Sequence, residues 1–311
     1  MKAVRIHDYG DRSVLRFEEA LLPTLGAEDV LIRVVATSIN PVDWHIRNGH
    51  LQTMLPHRLP LTLGWDVSGV IEAVGAQVRD FQPGDAVYSR PDIVRDGAYA
   101  EYIAVRANEV AAKPKTISHI EAASLPLAGI TAWDAIVKVG DVQAGQRVLV
   151  HAGSGGVGSL AVQLAKWRGA YVISTTSTPN VDFVKGLGAD EVIDYRSANF
   201  KDVVRDVDLV FDTLGGQVQD DSWGVLKSDG LLVSVVRPPD QKKADELGVR
   251  STFIFIQPDA AVLRELAVLV DISVVRPVVG AEFALKDIVA AHALSESGRA
   301  RGKIAIYVGQ P

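Results

Sequence analysis

The fold-deciding stretch of this chain reads Val148-Leu149-Val150-His151-Ala152-Gly153-Ser154-Gly155-Gly156-Val157-Gly158. A short apolar run leads into a G-x-G-x-x-G pattern, and an amphipathic segment follows at residues 159–168. In a strand–turn–helix unit, the first glycine allows a tight turn, the second lets backbone N–H groups approach a pyrophosphate, and the third lets the helix pack closely on the strand. The helix N-terminus adds partial positive charge. The stretch therefore predicts a dinucleotide site, although the glycine pattern alone also occurs in turns that bind nothing.

The next predicted strand ends in Ile173-Ser174-Thr175-Thr176-Ser177-Thr178. An NAD site places an Asp or Glu about 20 residues after the glycines to bind the ribose 2′-hydroxyl, and this segment contains no acid. Hydroxyl groups can donate to a 2′-phosphate and do not repel it. The segment therefore favours NADP(H) over NAD(H), with ordinary turn hydroxyls as the alternative interpretation.

The pattern of predicted strands and helices differs between the first part of the chain and the part that contains this stretch. Residues 1–118 contain short apolar runs separated by Gly, Pro and Asp, including the turns Pro83-Gly84-Asp85 and Asp96-Gly97, which predicts a β-rich, barrel-like domain. From about residue 120, strands and helices alternate, which predicts parallel βαβ units. The last fifty residues predict helices at 260–270 and 285–295 and strands at 277–283 and 303–308. These could complete the parallel sheet or return to the first domain. The predicted class is α/β, with a doubly wound parallel sheet beside a β-rich domain.

The composition of the chain excludes several classes of partner and site. A length of 311 residues predicts about two domains. Hydrophobic residues make up 48% and the net charge is -6, which fits a large core and argues against nucleic-acid or anionic-membrane partners. The chain has no cysteine, which excludes disulfides, a thiol nucleophile and cysteine-ligated metals. Early charged residues and the absence of a long apolar run predict a soluble, cytoplasmic protein.

Five motifs along the chain carry a family resemblance: Ser38-Ile39-Asn40-Pro41-Val42-Asp43, Gly64-Trp65-Asp66-Val67-Ser68-Gly69-Val70, Gly129-Ile130-Thr131-Ala132-Trp133, the glycine turn, and Val192-Ile193-Asp194-Tyr195-Arg196. Together they resemble the zinc-free, zeta-crystallin-like quinone oxidoreductases of the medium-chain dehydrogenase/reductase superfamily, a group that includes plant enone oxidoreductases. The resemblance implies a GroES-like substrate domain over residues 1–118, completed by 259–311, and a Rossmann NADP-binding domain over 119–258. It also implies an active site in the cleft between them and a homodimer joined through a strand near residues 251–256.

The resemblance further implies roles for individual residues. Asn40 and Thr131 would line the nicotinamide side as the candidate catalytic residues, with Asp43, Trp65 and Tyr88 in the substrate cleft. The cofactor contacts would come from His45, Gly153, Ser154, Gly155, Gly156, Val157, Gly158, Ser177, Tyr195, Leu214, Gly215, Val235, Val236 and Phe255. Some of these positions have plainer interpretations. Trp65 and Tyr88 could be packed aromatics, and Asn40 and Asp43 could cap a turn.

Zinc is not expected. The zinc alcohol dehydrogenases of the superfamily use a Cys, a His in a Gly-His-Glu motif and a second Cys, and the matching places here are Asn40, Gly64-Trp65-Asp66 and the vicinity of Pro126. His45, His50 and His57 are interpreted as surface-loop histidines, because their spacing does not repeat on a helix face. The basic cluster at Arg299, Arg301 and Lys303 is interpreted as a solvated face.

The function that follows is transfer of a hydride from NADPH to a quinone or a related conjugated carbonyl acceptor. Such an acceptor needs no Lewis acid, because its conjugated oxygen takes up the developing charge and hydrogen bonds can stabilise it there. An enone or alkenal double-bond reductase is the alternative within enzymes. A non-catalytic NADPH-binding or redox-responsive module is the alternative outside them.

Overall fold

The computed structural model describes residues 1–310, and their contacts divide the chain into two compact units. Unit 1 comprises Met1–Leu127, Gln257–Ser273 and the chain from Pro277 onward. Unit 2 comprises Ala128–Ile256 and Val274–Arg276. This division is made by contacts alone, and the predicted domain boundaries near residues 118 and 258 stay a prediction.

The strands, in chain order, are β1 (Lys2–Ile6), β2 (Arg16–Glu19), β3 (Asp29–Ile39), β4 (Leu61–Thr62), β5 (Val67–Val74), β6 (Ala86–Ser89), β7 (Tyr102–Arg106), β8 (Val110–Ala112), β9 (Arg147–Val150), β10 (Tyr171–Thr176), β11 (Glu191–Asp194), β12 (Val207–Asp212), β13 (Leu226–Ser234), β14 (Arg250–Phe253), β15 (Val279–Ala284) and β16 (Lys303–Tyr307). The helices are α1 (Pro41–Arg47), α2 (His119–Ala122), α3 (Pro126–Trp133), α4 (Gly156–Trp167), α5 (Val181–Lys185), α6 (Phe200–Val203), α7 (Gly216–Ser222), α8 (Gln241–Leu247), α9 (Ala260–Asp271) and α10 (Ile288–Glu296).

Unit 2 is built on a six-stranded parallel sheet in the order β11-β10-β9-β12-β13-β14. Counted from the first strand, this is the order 3-2-1-4-5-6 of a doubly wound nucleotide-binding sheet. Its central strands β9, β10 and β12 are buried along most of their length, as expected for strands covered on both faces. The order reverses between β9 and β12, so the loops that follow these two strands diverge and leave a crevice at the carboxyl edge.

Unit 1 contains a seven-stranded sheet, ordered β15-β16-β3-β5-β6-β8 with β7 also paired to β3, and a three-stranded sheet ordered β2-β1-β4. The last strand, β16, runs antiparallel to β3, with Ile304 opposite Ile39 and Tyr307 opposite Ala36. The C-terminal strands therefore belong to unit 1 and do not extend the parallel sheet. The predicted α/β class, with a β-rich domain and a doubly wound parallel sheet, is confirmed.

None of the helices within residues 1–310 combines the length and the apolar character that crossing a bilayer requires.

Candidate cofactor and active site

The glycine turn has the geometry that a dinucleotide requires. A Cβ on Gly153 would lie 2.1 Å from the Ser174 hydroxyl oxygen, and one on Gly158 would lie 2.2 Å from the backbone oxygen of Ala152. Ala152 itself has a φ of 52°. The chain therefore turns sharply out of β9 and α4 packs directly on the turn. The first N–H groups of α4 have no acceptor within the helix, so they are available to an anion.

Hydroxyl groups line the neighbouring strand end. Thr176 Oγ1 donates to Ser154 Oγ at 2.9 Å, which joins the turn to β10. Ser177 follows β10, and the side-chain amide of Asn180 donates to its hydroxyl oxygen at 3.2 Å. Tyr195 is 60% exposed, and its N–H donates to the Thr176 carbonyl at 3.1 Å. These positions bring Ser177 and Tyr195 to the same edge of the sheet as the glycine turn.

The acid next to this edge comes from β11. Asp194 lies opposite Thr176 in the register of β10 and β11. A hydrogen bond from the Thr178 side chain and one from the Arg196 N–H hold the pKa of the Asp194 carboxyl below its usual value. Sequence reasoning considered only the end of β10 and missed this carboxylate, which the strand pairing brings alongside.

A second missed residue shapes the loop after β12. Asp212 is fully buried, and its Oδ1 accepts hydrogen bonds from the N–H groups of Leu214 at 3.0 Å and Gly215 at 2.8 Å. Its Oδ2 accepts from Gln219 and from the Ser234 hydroxyl. One carboxylate therefore fixes the loops after β12 and β13. The candidate cofactor residues on these loops and beyond β14 keep exposed apolar surface: Leu214 (49%), Val236 (50%) and Phe255 (37%), while Val235 is half-buried.

Beneath the turn, His151 is a buried structural histidine. Ser222 Oγ donates to the Val218 carbonyl, so it accepts from His151 Nε2 at 2.9 Å, and His151 Nδ1 then accepts from Thr175 Oγ1 at 3.1 Å. Burial lowers the pKa of His151 to about 4. The ring is therefore neutral at physiological pH and adds no charge beneath the glycine turn.

Unit 1 holds the second polar site, which we call the Asp66 cluster: Ser38, Asn40, Asp66, Lys303 and the backbone of Leu127. Asp66 Oδ2 accepts from Ser38 Oγ at 2.6 Å, Asn40 Nδ2 at 2.7 Å and Lys303 Nζ at 3.2 Å. Its Oδ1 accepts from the Leu127 N–H at 2.6 Å. Lys303 Nζ also donates to the Ile39 carbonyl at 2.9 Å and to Asn40 Oδ1. The three side chains Asn40, Asp66 and Lys303 are at most 6% exposed, so this is a buried ion pair with its hydrogen bonds largely satisfied.

The interpretation of Lys303 as part of a solvated basic face was wrong. The residue opens β16, which lies between β15 and β3, and this pairing carries its ammonium into the interior beside Asp66. The available signal was its place at the first position of an apolar strand. Its partner is 237 positions away in the chain, which no local pattern reveals.

Asp43 closes the N-terminus of α1. Its Oδ2 accepts from the Asn40 backbone N–H at 2.7 Å and from the Tyr99 hydroxyl at 2.7 Å, while its buried Oδ1 has no hydrogen-bond partner among residues 1–310. Burial raises the pKa of this carboxyl to about 7. The turn-capping interpretation therefore fits Asp43, whereas the Asn40 side chain points to the Asp66 cluster.

The remaining candidates are placed as follows. Trp65 is fully buried in the core with its Nε1 donating to the Arg95 carbonyl at 3.1 Å, and Tyr88 is fully buried with its hydroxyl donating to the Leu263 carbonyl. Both match the packed-aromatic interpretation, and their role in a substrate cleft stays a prediction. His45 stacks on Trp44, and its Nδ1 lies 3.2 Å from His50 Nδ1. Thr131 lies on α3 and is 6% exposed.

The residues at the superfamily's zinc positions do not fit a zinc ion. The place of the histidine is taken by Trp65, whose indole nitrogen is a donor only. Asn40 and Asp66 are engaged by an ammonium, and no thiol exists in the chain. No group of three or more His, Asp or Glu side chains in residues 1–310 could hold a metal.

Comparison with known proteins places the chain in a family. Residues 26–115 match the model described as alcohol dehydrogenase GroES-like domain, and residues 187–306 match the model described as zinc-binding dehydrogenase. Among curated proteins, the chain is 34% identical to the mitochondrial NAD(P)H oxidoreductase RTN4IP1 of Mus musculus, over 99% of this chain and 89% of that protein. It is 36% identical to the 2-methylene-furan-3-one reductase of Solanum lycopersicum, over 99% of this chain and 79% of that protein.

Solved structures agree. The quinone oxidoreductase from Coxiella burnetii superimposes with a TM-score of 0.92 at 35% identity, covering 99% of both chains. The Escherichia coli quinone oxidoreductase complexed with NADPH gives a TM-score of 0.90 at 26% identity, covering 99% of this chain and all of that one. The sheet order, the glycine turn and these full-length likenesses agree, and the chain belongs to the quinone oxidoreductase-like branch of the medium-chain dehydrogenase/reductase superfamily.

Proposed function

We propose that this protein is an oxidoreductase that uses NADPH to reduce a quinone or a related conjugated carbonyl acceptor without zinc. The observation that carries the proposal is the glycine turn at the switch point of a 3-2-1-4-5-6 sheet, where Gly153 and Gly158 have no room for a Cβ. The NADPH complex of the Escherichia coli relative supports the cofactor. The names of the Coxiella and tomato relatives support the acceptor class.

In this proposal the turn from Gly153 to Gly158 and the N-terminus of α4 hold the pyrophosphate. Ser177 and Tyr195 face the adenosine ribose and its 2′-phosphate, and Leu214, Gly215, Val235, Val236 and Phe255 supply the loop contacts. When bound, NADPH supplies a hydride. The chain itself supplies binding, orientation and hydrogen bonds.

The acceptor oxygen gains negative charge as a conjugated ring or alkene is reduced, and a fixed hydrogen-bond donor stabilises it. Asn40 is our candidate for this donor, since its amide nitrogen is oriented by the Asp66 cluster. The family resemblance implies Thr131 as a second candidate for the hydrogen-bond donor. Water can deliver the proton once the charge is delocalised, so no buried general acid is needed.

Reduction of an enone or alkenal double bond is the second candidate function. The 36% identity to the tomato 2-methylene-furan-3-one reductase favours it. The same donor and the same cofactor geometry would serve, because the charge again develops on a conjugated oxygen.

Steady-state assays with metal-analysed protein test the proposal. We expect NADPH oxidation with 1,4-benzoquinone or with a linear enone, little with a saturated ketone, and no change after dialysis against a chelator. Turnover confined to a simple alcohol and NAD, or loss of turnover with the chelator, would contradict it. Tight NADPH binding without oxidation across the acceptor panel would instead favour the non-catalytic module.

Two further predictions accompany the proposal. A homodimer joined through β14 is supported by the edge of this strand that is unpaired within residues 1–310 and by the exposed phenyl ring of Phe253 on it. The cytoplasmic location stays a prediction, because the name of the mouse relative places that protein in mitochondria.

A further inference from the structure

The Asp66 cluster fixes the Asn40 amide from both ends. Its Oδ1 accepts from the Lys303 ammonium, and its Nδ2 donates to Asp66 Oδ2 at 2.7 Å. A flipped amide would point its N–H groups at the ammonium and its oxygen at the carboxylate. The two charges therefore allow only one orientation of this side chain.

This orientation leaves one polar group of Asn40 unused. An amide nitrogen carries two hydrogens, and the second hydrogen on Nδ2 has no acceptor among residues 1–310. The ammonium on Oδ1 also polarises the amide, which strengthens the remaining N–H as a donor in a buried, low-dielectric site. At 2% exposure, Asn40 has little competing water.

We propose that Lys303 is a positioning residue for the reaction, holding the Asn40 amide so that its free N–H meets the acceptor oxygen. This inference rests on the proposed function, in which Asn40 donates to that oxygen. Lys303 acts only through Asn40 and touches neither acceptor nor cofactor. The buried Lys303 ammonium thus orients the neutral Asn40 amide and strengthens its N–H as a donor.

Removing Lys303 alone is a poor test, because Asp66 would remain as a buried carboxylate without its cation and the fold itself would suffer. The double variant Lys303→Met with Asp66→Asn removes both charges together. The new amide can still accept from Ser38 or Leu127. The matched control is Lys201→Met with Asp221→Asn, which removes a more exposed ion pair of 3.3 Å in unit 2.

We expect the Lys303/Asp66 double variant to fold and to bind NADPH with unchanged Kd, while its kcat with 1,4-benzoquinone falls at least about tenfold, which is less than the roughly 10²–10³-fold that complete loss of a charge-stabilising donor costs, because the Asn40 donor is misplaced and not removed. The control pair should keep its kcat. In an Asn40→Ala background the same double change should lower kcat no further, because effects that run through one group are not additive. Wild-type kcat in the double variant, or an undiminished further loss in the Asn40→Ala background, would overturn the proposal.

A readout without turnover separates this inference from the proposed function. The side-chain N–H signals of Asn40, assigned by their disappearance in Asn40→Ala, should exchange with solvent at least about tenfold faster in the double variant than in the wild type. If the wild-type protein reduces no acceptor, the proposed function fails while this comparison still measures the fixed amide. Equal exchange rates in the two proteins would contradict the positioning role.

Discussion

At the scale of single residues, Asp43 carries a measurable pH dependence. Its carboxyl pKa is about 7 in the folded protein against an ordinary value of 3.8, because burial disfavours the charged form. Between pH 4 and pH 7 the unfolded chain has released this proton while the folded protein still holds it. Raising the pH across this window therefore lowers the free energy of unfolding, and above about pH 7 the loss is complete.

The variant Asp43→Asn cannot ionise, so we expect it to lose this contribution to the pH dependence. Urea unfolding of both proteins at several pH values between 4 and 8 measures the effect. The stability of the variant relative to wild type should rise with pH, on top of a constant offset from one lost hydrogen bond to Asn40 or Tyr99. A pH-independent difference between the two proteins would refute the assignment.

Gly158 is the residue on which the turn depends most. A Cβ there would meet the backbone oxygen of Ala152 at 2.2 Å, and backbone cannot move aside as a flexible side chain can. We expect Gly158→Ala to cost about 1–3 kcal/mol of stability through overpacking and to weaken NADPH binding at least about tenfold. The control is Gly224→Ala, where an added Cβ meets nothing within 4 Å.

Thermal unfolding and fluorescence titration with NADPH measure the two effects. The Gly224→Ala protein should behave as wild type in both. Wild-type affinity in Gly158→Ala would show that the close approach of α4 to the turn does not matter for the cofactor.

At the scale of elements, the sequence predicted the strands and helices well because their signals are local. The predicted helix at 260–270 and the predicted strand at 303–308 match α9 and β16, and the glycine turn places the start of α4 at Gly156. Polar residues at strand ends were harder. Lys303 reaches Asp66 only because β16 pairs with β3, and Asp212 reaches Ser234 only because β12 pairs with β13, so both contacts join side chains that are distant in sequence. The spacing of apolar residues shows which face of a strand is buried, but it does not show which other strand pairs with it.

The outer strand of the parallel sheet offers a test of assembly. β14 pairs with β13 on one side and has no strand on the other among residues 1–310. Phe253 on this strand is 36% exposed. The free N–H and C=O groups of an unpaired strand edge are suited to pair with the same edge of a second copy.

We expect Phe253→Asp to convert the predicted homodimer into a monomer, because it places a charge at the joined edge. Light scattering coupled to size-exclusion chromatography measures the mass. Val268→Asp, at a 56% exposed position on α9, should leave the mass unchanged. A wild-type protein that is monomeric at micromolar concentration would refute the predicted dimer.

At the scale of the whole molecule, composition and motif order were sufficient to predict the α/β class. The residue pattern alone left the destination of the last two strands open, because apolar strands of this length suit either sheet, and the family resemblance assigned them to the first domain. The structure places them in unit 1, where β16 pairs with both β15 and β3. The complete lack of cysteine predicted only that sulfur-based sites were excluded, whereas the geometry of Asn40, Trp65 and Asp66 shows what occupies the superfamily's ligand positions.

The pairing of Lys303 with Asp66 also sets an order on protein synthesis. The ribosome makes Asp66 long before it makes β16, so a nascent chain carries this carboxylate through most of translation without its cation. Until β16 emerges, the Asp66 side chain must stay hydrated, take up a proton, or be buried without its Lys303 partner at a cost in stability. Unit 1 therefore reaches its final packing only after translation has passed residue 303, and a stalled or prematurely terminated chain exposes an unfinished sheet to chaperones and proteases.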